Sequence, residues 1–211
     1  MTGMRVLDES MDWQATGATL EWDGESARLV IPGISLQARA LAIEEISRRI
    51  DSGSSLQDAL SLDLPHRAPV GETLREDIIL VDASEVSQAP DAVDIAKSVS
   101  ALARGSRRVV AVAGALDFTG SSDYDNLSAF GALMVRLNVT QVFAVGQSAR
   151  ALFLSVGMEG SWDGESRFCQ DTSSAYDDIR AKILPGDVLL VLGSTDVSLG
   201  PLVTKLREAL A

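Results

Sequence analysis

The chain has 211 residues, of which 46% are hydrophobic, enough to bury one good core and to carry a small additional module. Its formal net charge of −12 argues against a nucleic-acid partner, because binding to phosphate backbones depends on clustered Lys and Arg. The single cysteine excludes an internal disulfide and multi-cysteine metal sites, and the chain has one histidine. The sequence has neither a leader-like start nor ~18 consecutive apolar residues, which favours a cytoplasmic protein without membrane contact.

The first third of the sequence predicts a β-hairpin followed by two helices. Two short strand-like runs, 18–22 and 27–31, flank an Asp-Gly pair, which is a favoured hairpin turn. Over 36–50 the apolar residues recur at helical spacing opposite charged residues, which indicates an amphipathic helix. Ser55 is placed to cap a second short helix that ends at Leu62.

A proline-bracketed segment separates this module from the rest of the chain. Pro65 and Pro69 break the helical pattern, and the sequence therefore predicts a boundary near residue 72, with one domain over 1–72 and another over 73–211. His66 lies between these prolines and is expected to be a solvated linker residue rather than a catalytic base.

The second domain alternates apolar, β-rich runs with helical patterns. This alternation predicts right-handed crossovers and hence an α/β fold, a Rossmann-like doubly wound and mainly parallel sheet preceded by the small hairpin-and-helices module. The expected strands cover 78–81, 109–113, 142–145 and 188–192, with a further short one near 167–169, and the expected helices cover 90–102, 125–137, 148–156, 175–183 and 199–210.

In open parallel sheets, ligands bind outside the carboxyl ends of the strands, so the residues that follow each strand are the candidates for a site. Glycine lets the backbone approach a ligand, and Ser, Thr and Asp side chains can hydrogen-bond to it, although the same residue types also cap helices. The candidate ligand-binding residues are Asp82, Ser84, Gly114, Asp117, Gly193, Ser194 and Thr195.

The same turns lack the usual devices for holding phosphate. Neither G-x-x-x-x-G-K-[ST] nor a G-x-G-x-x-G after a strand occurs, and none of the strand-end turns carries Lys or Arg to neutralise a transferring phosphoryl group. Asp82 and Asp117 could form a carboxylate pair for a metal or for acid/base work, but a capping role is favoured. No catalytic residue, metal site or cofactor is therefore assigned from the residues.

Four segments, 32–42, 81–91, 112–120 and 186–199, stand in the order of four motifs of a known family. They resemble the motifs of the Mur ligases, and most closely those of the branch that adds D-alanyl-D-alanine. Residues 32–42 are similar to P-G-x-H-N-x-x-N-A-x-A, which closes the central ATPase domain of the family. Residues 81–91 are similar to D-D-x-Y-N-A-N-P-D, residues 112–120 to V-L-G-D-M-x-E-L-G, and residues 186–199 to G-D-x-V-L-V-K-G-S-R-x-x-x-L/M. The resemblance covers most of the chain, and it identifies 1–72 as a remnant of the central domain and 73–211 as the C-terminal domain.

The departures from these motifs fall on polar positions. The His and both Asn of the first motif correspond to Ser35, Leu36 and Arg39, and the Tyr-Asn-Ala-Asn run of the second corresponds to 86–89. The Asp and Glu of the third motif are replaced by Ala115 and Phe118, and the Lys and Arg of the last are replaced by Leu192 and Thr195. Glycines and apolar positions persist, as expected where packing is still required but contacts to ATP and substrate are not.

The resemblance implies a protein of peptidoglycan precursor synthesis whose relatives use ATP and Mg²⁺. Because the phosphate loop and the cations are missing, the favoured hypothesis is a non-catalytic binding or interaction module that docks on a true ligase or on a second copy. The alternative is a C-terminal fragment of a working ATP-dependent ligase that contacts nucleotide and amino substrate. A third hypothesis is an unrelated small-molecule enzyme that uses Asp82, Asp117 and Asp196 as acid/base groups.

The apolar face of the first module also bears on partners. This face requires a covering layer, and we expect it to pack on the second domain or on a second copy of the chain. The residues expected to become buried there are Val30, Ile43, Ile46 and Leu60.

Overall fold

The computed structural model describes residues 3–61, 68–118, 123–158 and 162–211. The chain divides into two compact units, Met1–Val70 and Gly71–Ala211. His66 lies outside the described residues. So does Leu62, the residue at which the second helix is predicted to end. Within the described ranges, the helices are too short or too polar for any of them to cross a bilayer.

The first unit contains a three-stranded antiparallel sheet. Its strands are β1 (Arg5–Met11), β2 (Ala15–Trp22) and β3 (Glu25–Pro32), in that spatial order. The predicted hairpin between β2 and β3 is confirmed, and its turn residues Asp23 and Gly24 have φ angles of 51° and 80°. Positive φ at both central positions belongs to a type I′ turn, whose twist matches that of the paired strands. Strand β1 was not expected from the sequence, because most of its side chains are exposed and it lacks an apolar alternation.

The two predicted helices of this unit are present. Helix α1 spans Leu36–Asp51, and a short helix α2 spans Leu56–Ala59. Each begins at a serine whose side chain accepts a hydrogen bond from a backbone N–H of the first turn, Ser35 for α1 and Ser55 for α2. These caps satisfy amide groups that have no partner within the helix.

The helices and one face of the sheet form the core of the first unit. Ile46 of α1 is fully buried in a cluster that includes Leu20 and Leu29 of the sheet, and Ile43 and Leu60 are partly buried against that cluster. The helix face is therefore covered within the unit itself. Val30 is 57% exposed in this chain, and its burial against a second copy stays a prediction. Strand side chains alternate between faces, and Val30 lies on the face opposite to its buried neighbour Leu29.

The second unit contains a six-stranded sheet in the order β4-β5-β9-β6-β7-β8. All neighbouring pairs are parallel except β4 with β5. The strands are β4 (Gly71–Thr73), β5 (Ile79–Ala83), β6 (Val109–Ala113), β7 (Gln141–Val145), β8 (Glu165–Cys169) and β9 (Val188–Leu192). The mainly parallel sheet and its five expected strands are confirmed, and the short edge strand β4 is an addition.

Helices connect the parallel strands. The connecting helices are α3 (Ala89–Ala103), α4 (Asp123–Arg136), α5 (Arg150–Met158) and α6 (Thr172–Lys182), and a further helix, α7 (Gly200–Leu210), follows the last strand. Helix α4 contacts α5, and α6 contacts α7. The chain advances from β5 through β8 and then returns to insert β9 between β5 and β6, so α6 packs on the face opposite to the earlier helices. The α/β, doubly wound architecture is confirmed.

The central strands are buried on both faces, as their continuous apolar sequences predict. The face under α6 and α7 contains Phe143, Leu189 and Val191, all inaccessible to solvent. Cys169 lies in the same cluster. Burial, followed by the nearby Asp178 carboxylate, raises the pKa of its thiol to about 12, so this cysteine is a small packing residue and not a nucleophile.

Candidate functional site

The loops that follow β5, β6, β7 and β9 lie together at the carboxyl edge of the six-stranded sheet. Backbone hydrogen bonds join the loop after β9 to both of its neighbours. The Gly193 N–H donates to the carbonyl of Val86, at 3.0 Å, and the Thr195 N–H donates to the carbonyl of Ala115, at 2.8 Å. The central position of β9 therefore brings the predicted strand-end residues of three strands into one connected rim.

Two of the predicted site glycines are required by this packing. A Cβ atom on Gly114 would lie 2.1 Å from the Cβ of Ser194, and a Cβ on Gly193 would lie 2.7 Å from the carbonyl carbon of Val86. Neither distance is possible between real atoms, so both positions need glycine for the close approach of the loops. Their retention thus has a structural cause that does not depend on a ligand.

Asp82 is held by neighbours on both sides. Its carboxylate accepts hydrogen bonds from the backbone N–H and the hydroxyl of Ser84, at 3.1 and 2.8 Å. On the other side, Nη2 of Arg207 lies 3.4 Å from the carboxylate, while Nε of the same arginine donates to Glu72 at 2.8 Å. Glu72 on β4 and Arg207 on α7 were not predicted as part of this rim, because they are separated by most of the second unit.

Asp117 ties the loop after β6 to the start of α3. Its N–H donates to the carbonyl of Ser87, its carbonyl accepts from the N–H of Ala89, and its carboxylate accepts from the side-chain amide of Gln88 at 2.8 Å. The backbone bonds form an isolated parallel bridge between Gln88 and Asp117, outside the strands of the sheet. The carboxylates of Asp82 and Asp117 thus have separate partners, and no cluster of three or more potential metal ligands occurs among the described residues.

A third carboxylate, Asp196, belongs to the loop after β9. The Ser194 hydroxyl donates to it at 2.7 Å, and the Ser148 hydroxyl, from the loop after β7, also bonds to it. Burial alone would raise the pKa of Asp196, but hydrogen bonds from Ser148 and Ser194 outweigh that effect and hold the pKa below its ordinary value. Asp196 is therefore ionised near neutral pH, which argues against a role as a general acid.

Ser148 was not among the predicted site residues. It follows Gly146, whose φ of 90° turns the chain sharply after β7. A Cβ on Gly146 would lie 2.7 Å from a methyl group of Val197, so this turn also brings the loops after β7 and β9 together. The Gly-Gln-Ser sequence directly after a buried strand was the available signal for this residue.

The rim is richer in carboxylates and hydroxyl groups than in positive charge. Arg207, which contacts the predicted site residue Asp82, already pairs with two carboxylates. Arg150, at the start of α5 beside this edge, lies over the ring of Phe168, with its guanidinium carbon 6.0 Å from the ring centroid. Leu192 and Ala115, which stand where the Mur ligase motifs have Lys and Asp, are 0% and 6% exposed. These positions are part of the packed core, and the rim presents hydrogen-bond acceptors more readily than a cradle for phosphate.

Ser35 and Arg39, two of the residues that differ from the first Mur ligase motif, form hydrogen bonds within the first unit. The Ser35 hydroxyl accepts a hydrogen bond from the N–H of Ala38 at 2.9 Å. Arg39 donates from Nη2 to the Glu9 carboxylate at 2.8 Å, and only 12% of its side chain is exposed. Both residues therefore stabilise the packing of α1 and its N-terminus.

The sequence is similar to that of a known ligase over part of its length. No protein-family model matches the chain. It is 37% identical over 98 residues to UDP-N-acetylmuramoyl-tripeptide–D-alanyl-D-alanine ligase of Mycobacterium leprae (strain TN). This match covers 46% of the present chain and 19% of the ligase.

Solved structures extend the similarity to nearly the whole chain. Crystal structure II of MurF from Acinetobacter baumannii matches 96% of this chain with a TM-score of 0.70 and 18% identity, and MurF from Thermotoga maritima in complex with ADP matches 98% with a TM-score of 0.65 and 17% identity. A murein peptide ligase, mpl, from Psychrobacter arcticus 273-4 matches 96% with a TM-score of 0.56 and 12% identity.

The chain spans less than half the length of these structures, 45%, 46% and 43% respectively. The resemblance inferred from the motifs is nevertheless confirmed. The chain is similar to the C-terminal part of a Mur ligase, in sequence over those 98 residues and in fold over nearly its whole length.

Proposed function

We propose that this chain is a Mur-ligase-like module of peptidoglycan precursor synthesis that acts in the cytoplasm by binding a protein partner and does not ligate by itself. In this proposal Met1–Val70 is a remnant of the family's central domain and Gly71–Ala211 is its C-terminal domain. The partner is a complete ligase of the same pathway or a second copy of the chain.

The observation that carries the proposal is the electrostatic character of the carboxyl rim. A ligase that activates a carboxyl group with ATP must stabilise the transferring phosphoryl group with cations. At the described rim, Arg207 is committed to Asp82 and Glu72, and Leu192 occupies the place of the family's Lys as a core residue. The carboxylates of Asp82, Asp117 and Asp196 would oppose a bound triphosphate.

The second candidate function is that of a C-terminal portion of a working ligase, in which the rim still contacts nucleotide and amino substrate. The observation that favours it is the close approach of the strand-end loops. The loops after β6 and β9 meet at Gly114, and the loops after β5 and β9 meet at Gly193, as a ligand-binding rim would. A residual contact to nucleotide would then use the hydroxyls of Ser84, Ser194 and Thr195.

Nucleotide titration separates the two candidates. Because the Thermotoga maritima relative was solved in complex with ADP, isothermal titration of the full chain with ADP and with ATP and Mg²⁺ is the direct measurement, with that protein as the positive control. We expect no saturable heat at millimolar nucleotide. Saturable binding, or ligation of D-alanyl-D-alanine to a UDP-linked peptide by the purified chain, would establish the second candidate instead.

The interaction part of the proposal has its own test. Sedimentation velocity of the chain alone and mixed with a full-length UDP-N-acetylmuramoyl-tripeptide–D-alanyl-D-alanine ligase should reveal a complex. Val30, which is 57% exposed, is the expected contact, so Val30→Asp should weaken the complex. Leu41→Asp is the matched control, since Leu41 is 55% exposed but lies on α1. Sedimentation only as a monomer in both experiments would remove the interaction role.

A further inference from the structure

A cavity of ≈ 330 Å³ opens at the amino edge of the six-stranded sheet, opposite to the strand ends described above. It is bounded by the turn before β5, by the end of α6 with the residue that follows it, and by the last turn of α7. The lining residues are Arg75, Glu76, Ile78, Arg180, Ile183, Ala209 and Leu210. This volume lies at the lower end of the ~300–1,000 Å³ typical of small-molecule sites.

Two arginines with spare hydrogen-bond donors line this cavity. Among the described residues, no carboxylate pairs with Arg75. Arg180 makes one long bond, from Nη1 to the carbonyl of Ala209 at 3.4 Å, and its other donors remain available. Guanidinium forks suit a planar carboxylate.

The wall that carries Arg75 is fixed in an uncommon backbone conformation. Glu76 and Asp77 have φ angles of 56° and 59°, which residues with side chains seldom adopt. Arg107 holds this turn in place by donating to the carbonyl of Asp77 at 2.6 Å and to its carboxylate at 2.7 Å. Non-glycine residues in such conformations persist where the surroundings over-determine them, frequently at ligand sites. The turn is therefore pre-organised.

The remaining lining residues define the rest of the ligand. Glu76 places a carboxylate at the same cavity, and the last carbonyls of α7 add partial negative charge, so a cationic group would be favoured beside them. Ile78, Ile183 and Leu210 supply an apolar wall. A plain anion would use the arginines but would be repelled by Glu76, whereas a molecule with one carboxylate and one ammonium group would satisfy both poles.

We infer that this cavity is a binding site for a small aliphatic zwitterion, an amino acid or a dipeptide. Arg75 and Arg180 would bind its carboxylate, Glu76 would accept from its ammonium group, and the apolar wall would contact its side chains. The inference is independent of the function proposed above, because it concerns the opposite edge of the sheet.

The test is an NMR titration of the full ¹⁵N-labelled chain with alanyl-alanine at millimolar concentrations. We expect saturable shifts centred on the backbone amides of 75–78 and 180–183. Blocking either pole, by N-acetylation or by C-terminal amidation of the dipeptide, should weaken binding by about tenfold or more. Absence of saturable shifts, shifts centred elsewhere, or equal binding of the blocked forms would overturn the inference.

Variants give a second measure. Arg75→Ala should weaken the binding of alanyl-alanine by about tenfold or more. Because Arg75 is exposed and makes no side-chain bond among the described residues, its loss should leave the fold unchanged. Arg150→Ala is the matched control, because it removes the same charge at the start of α5, at the opposite edge of the sheet. Inorganic phosphate should bind more weakly than the dipeptide. Equal affinity for phosphate, or unchanged affinity in Arg75→Ala, would refute the zwitterion site.

Discussion

Replacement of Gly114 by Ala tests whether the carboxyl rim is held together by contact between loops. The new Cβ would lie 2.1 Å from the Cβ of Ser194, where ordinary contact begins at 3.4 Å. Ser194 cannot move its Cβ by rotating a side chain, and the bond from the Thr195 N–H to the Ala115 carbonyl, at 2.8 Å, resists separation of the loops. The strain must therefore be relieved by the backbone.

Overpacking of a tight contact costs about 1–3 kcal/mol, and a clash that only backbone movement can relieve should cost an amount near the upper end of that range. We therefore expect Gly114→Ala to lower the free energy of unfolding of the second unit by about 3 kcal/mol. The chain has two compact units, so the assay must report on the second unit alone. It is urea denaturation followed by the NMR amide intensities of β6 and β9.

A double-mutant cycle identifies the contact responsible. Ser194→Gly removes the opposing Cβ, and although it also loses the hydrogen bond to Asp196, it should lower the additional cost of Gly114→Ala by about 2 kcal/mol. Gly157→Ala is the control for glycine replacement in general, since its nearest neighbour would be at an ordinary 3.5 Å. An equal cost of Gly114→Ala in both backgrounds would show that the loops are not held by this contact.

Three further outcomes follow from the local geometry. Ser35→Ala should lower the stability of the first unit by about 1 kcal/mol in urea unfolding, because the N-terminus of α1 loses its cap. Hydrogen bonds from Arg48 and then Arg49 lower the pKa of Glu45 to about 2. Its stabilising effect should therefore be complete above its ordinary pKa of 4.5 and be lost as the pH falls toward 2, and Glu45→Gln should remove that part of the acid titration. Cys169, whose pKa is raised by burial to about 12, should resist a thiol reagent in the native chain at about pH 8 and react after unfolding in urea.

The sequence was most informative where burial imposes a simple pattern. Strands β6, β7 and β9 are buried on both faces, so each is a continuous apolar run, and the alternation with amphipathic helices then defines the parallel architecture. The hairpin of the first unit could be predicted because its turn needs positive φ, which Asp23-Gly24 supplies.

The elements that were missed lie at sheet edges, where little burial is imposed. Strand β1 exposes most of its side chains, and β4 has only three residues. Neither carries an apolar repeat, because an edge strand is specified by its pairing partner more than by its own side chains.

The partners of the candidate site residues could not be predicted for a different reason. The residues that follow each strand can be identified from the sequence next to that strand, and the candidate residues chosen in this way do lie at the rim. Their bonds are long-range, however: Arg207 contacts Glu72 across 135 positions, and Gln88 contacts Asp117 across 29. Such pairs depend on the strand order, and the insertion of β9 between β5 and β6 is not encoded in any local pattern.

The contrast between glycines and charges at the rim follows from these separate constraints. Gly114, Gly146 and Gly193 each sit where an added Cβ would overlap a neighbouring loop, so their loss would disrupt the fold whether or not a ligand binds. A cation directed at a phosphate has no such packing role, and its replacement by a buried leucine, as at Leu192, adds apolar burial to the core. Under selection for stability and partner binding alone, a Mur ligase domain would therefore keep its turns and lose its cations. Retained glycines are compatible with both candidate functions, whereas the pairing of Arg207 with Asp82 and Glu72 is what the proposed non-catalytic role leads us to expect.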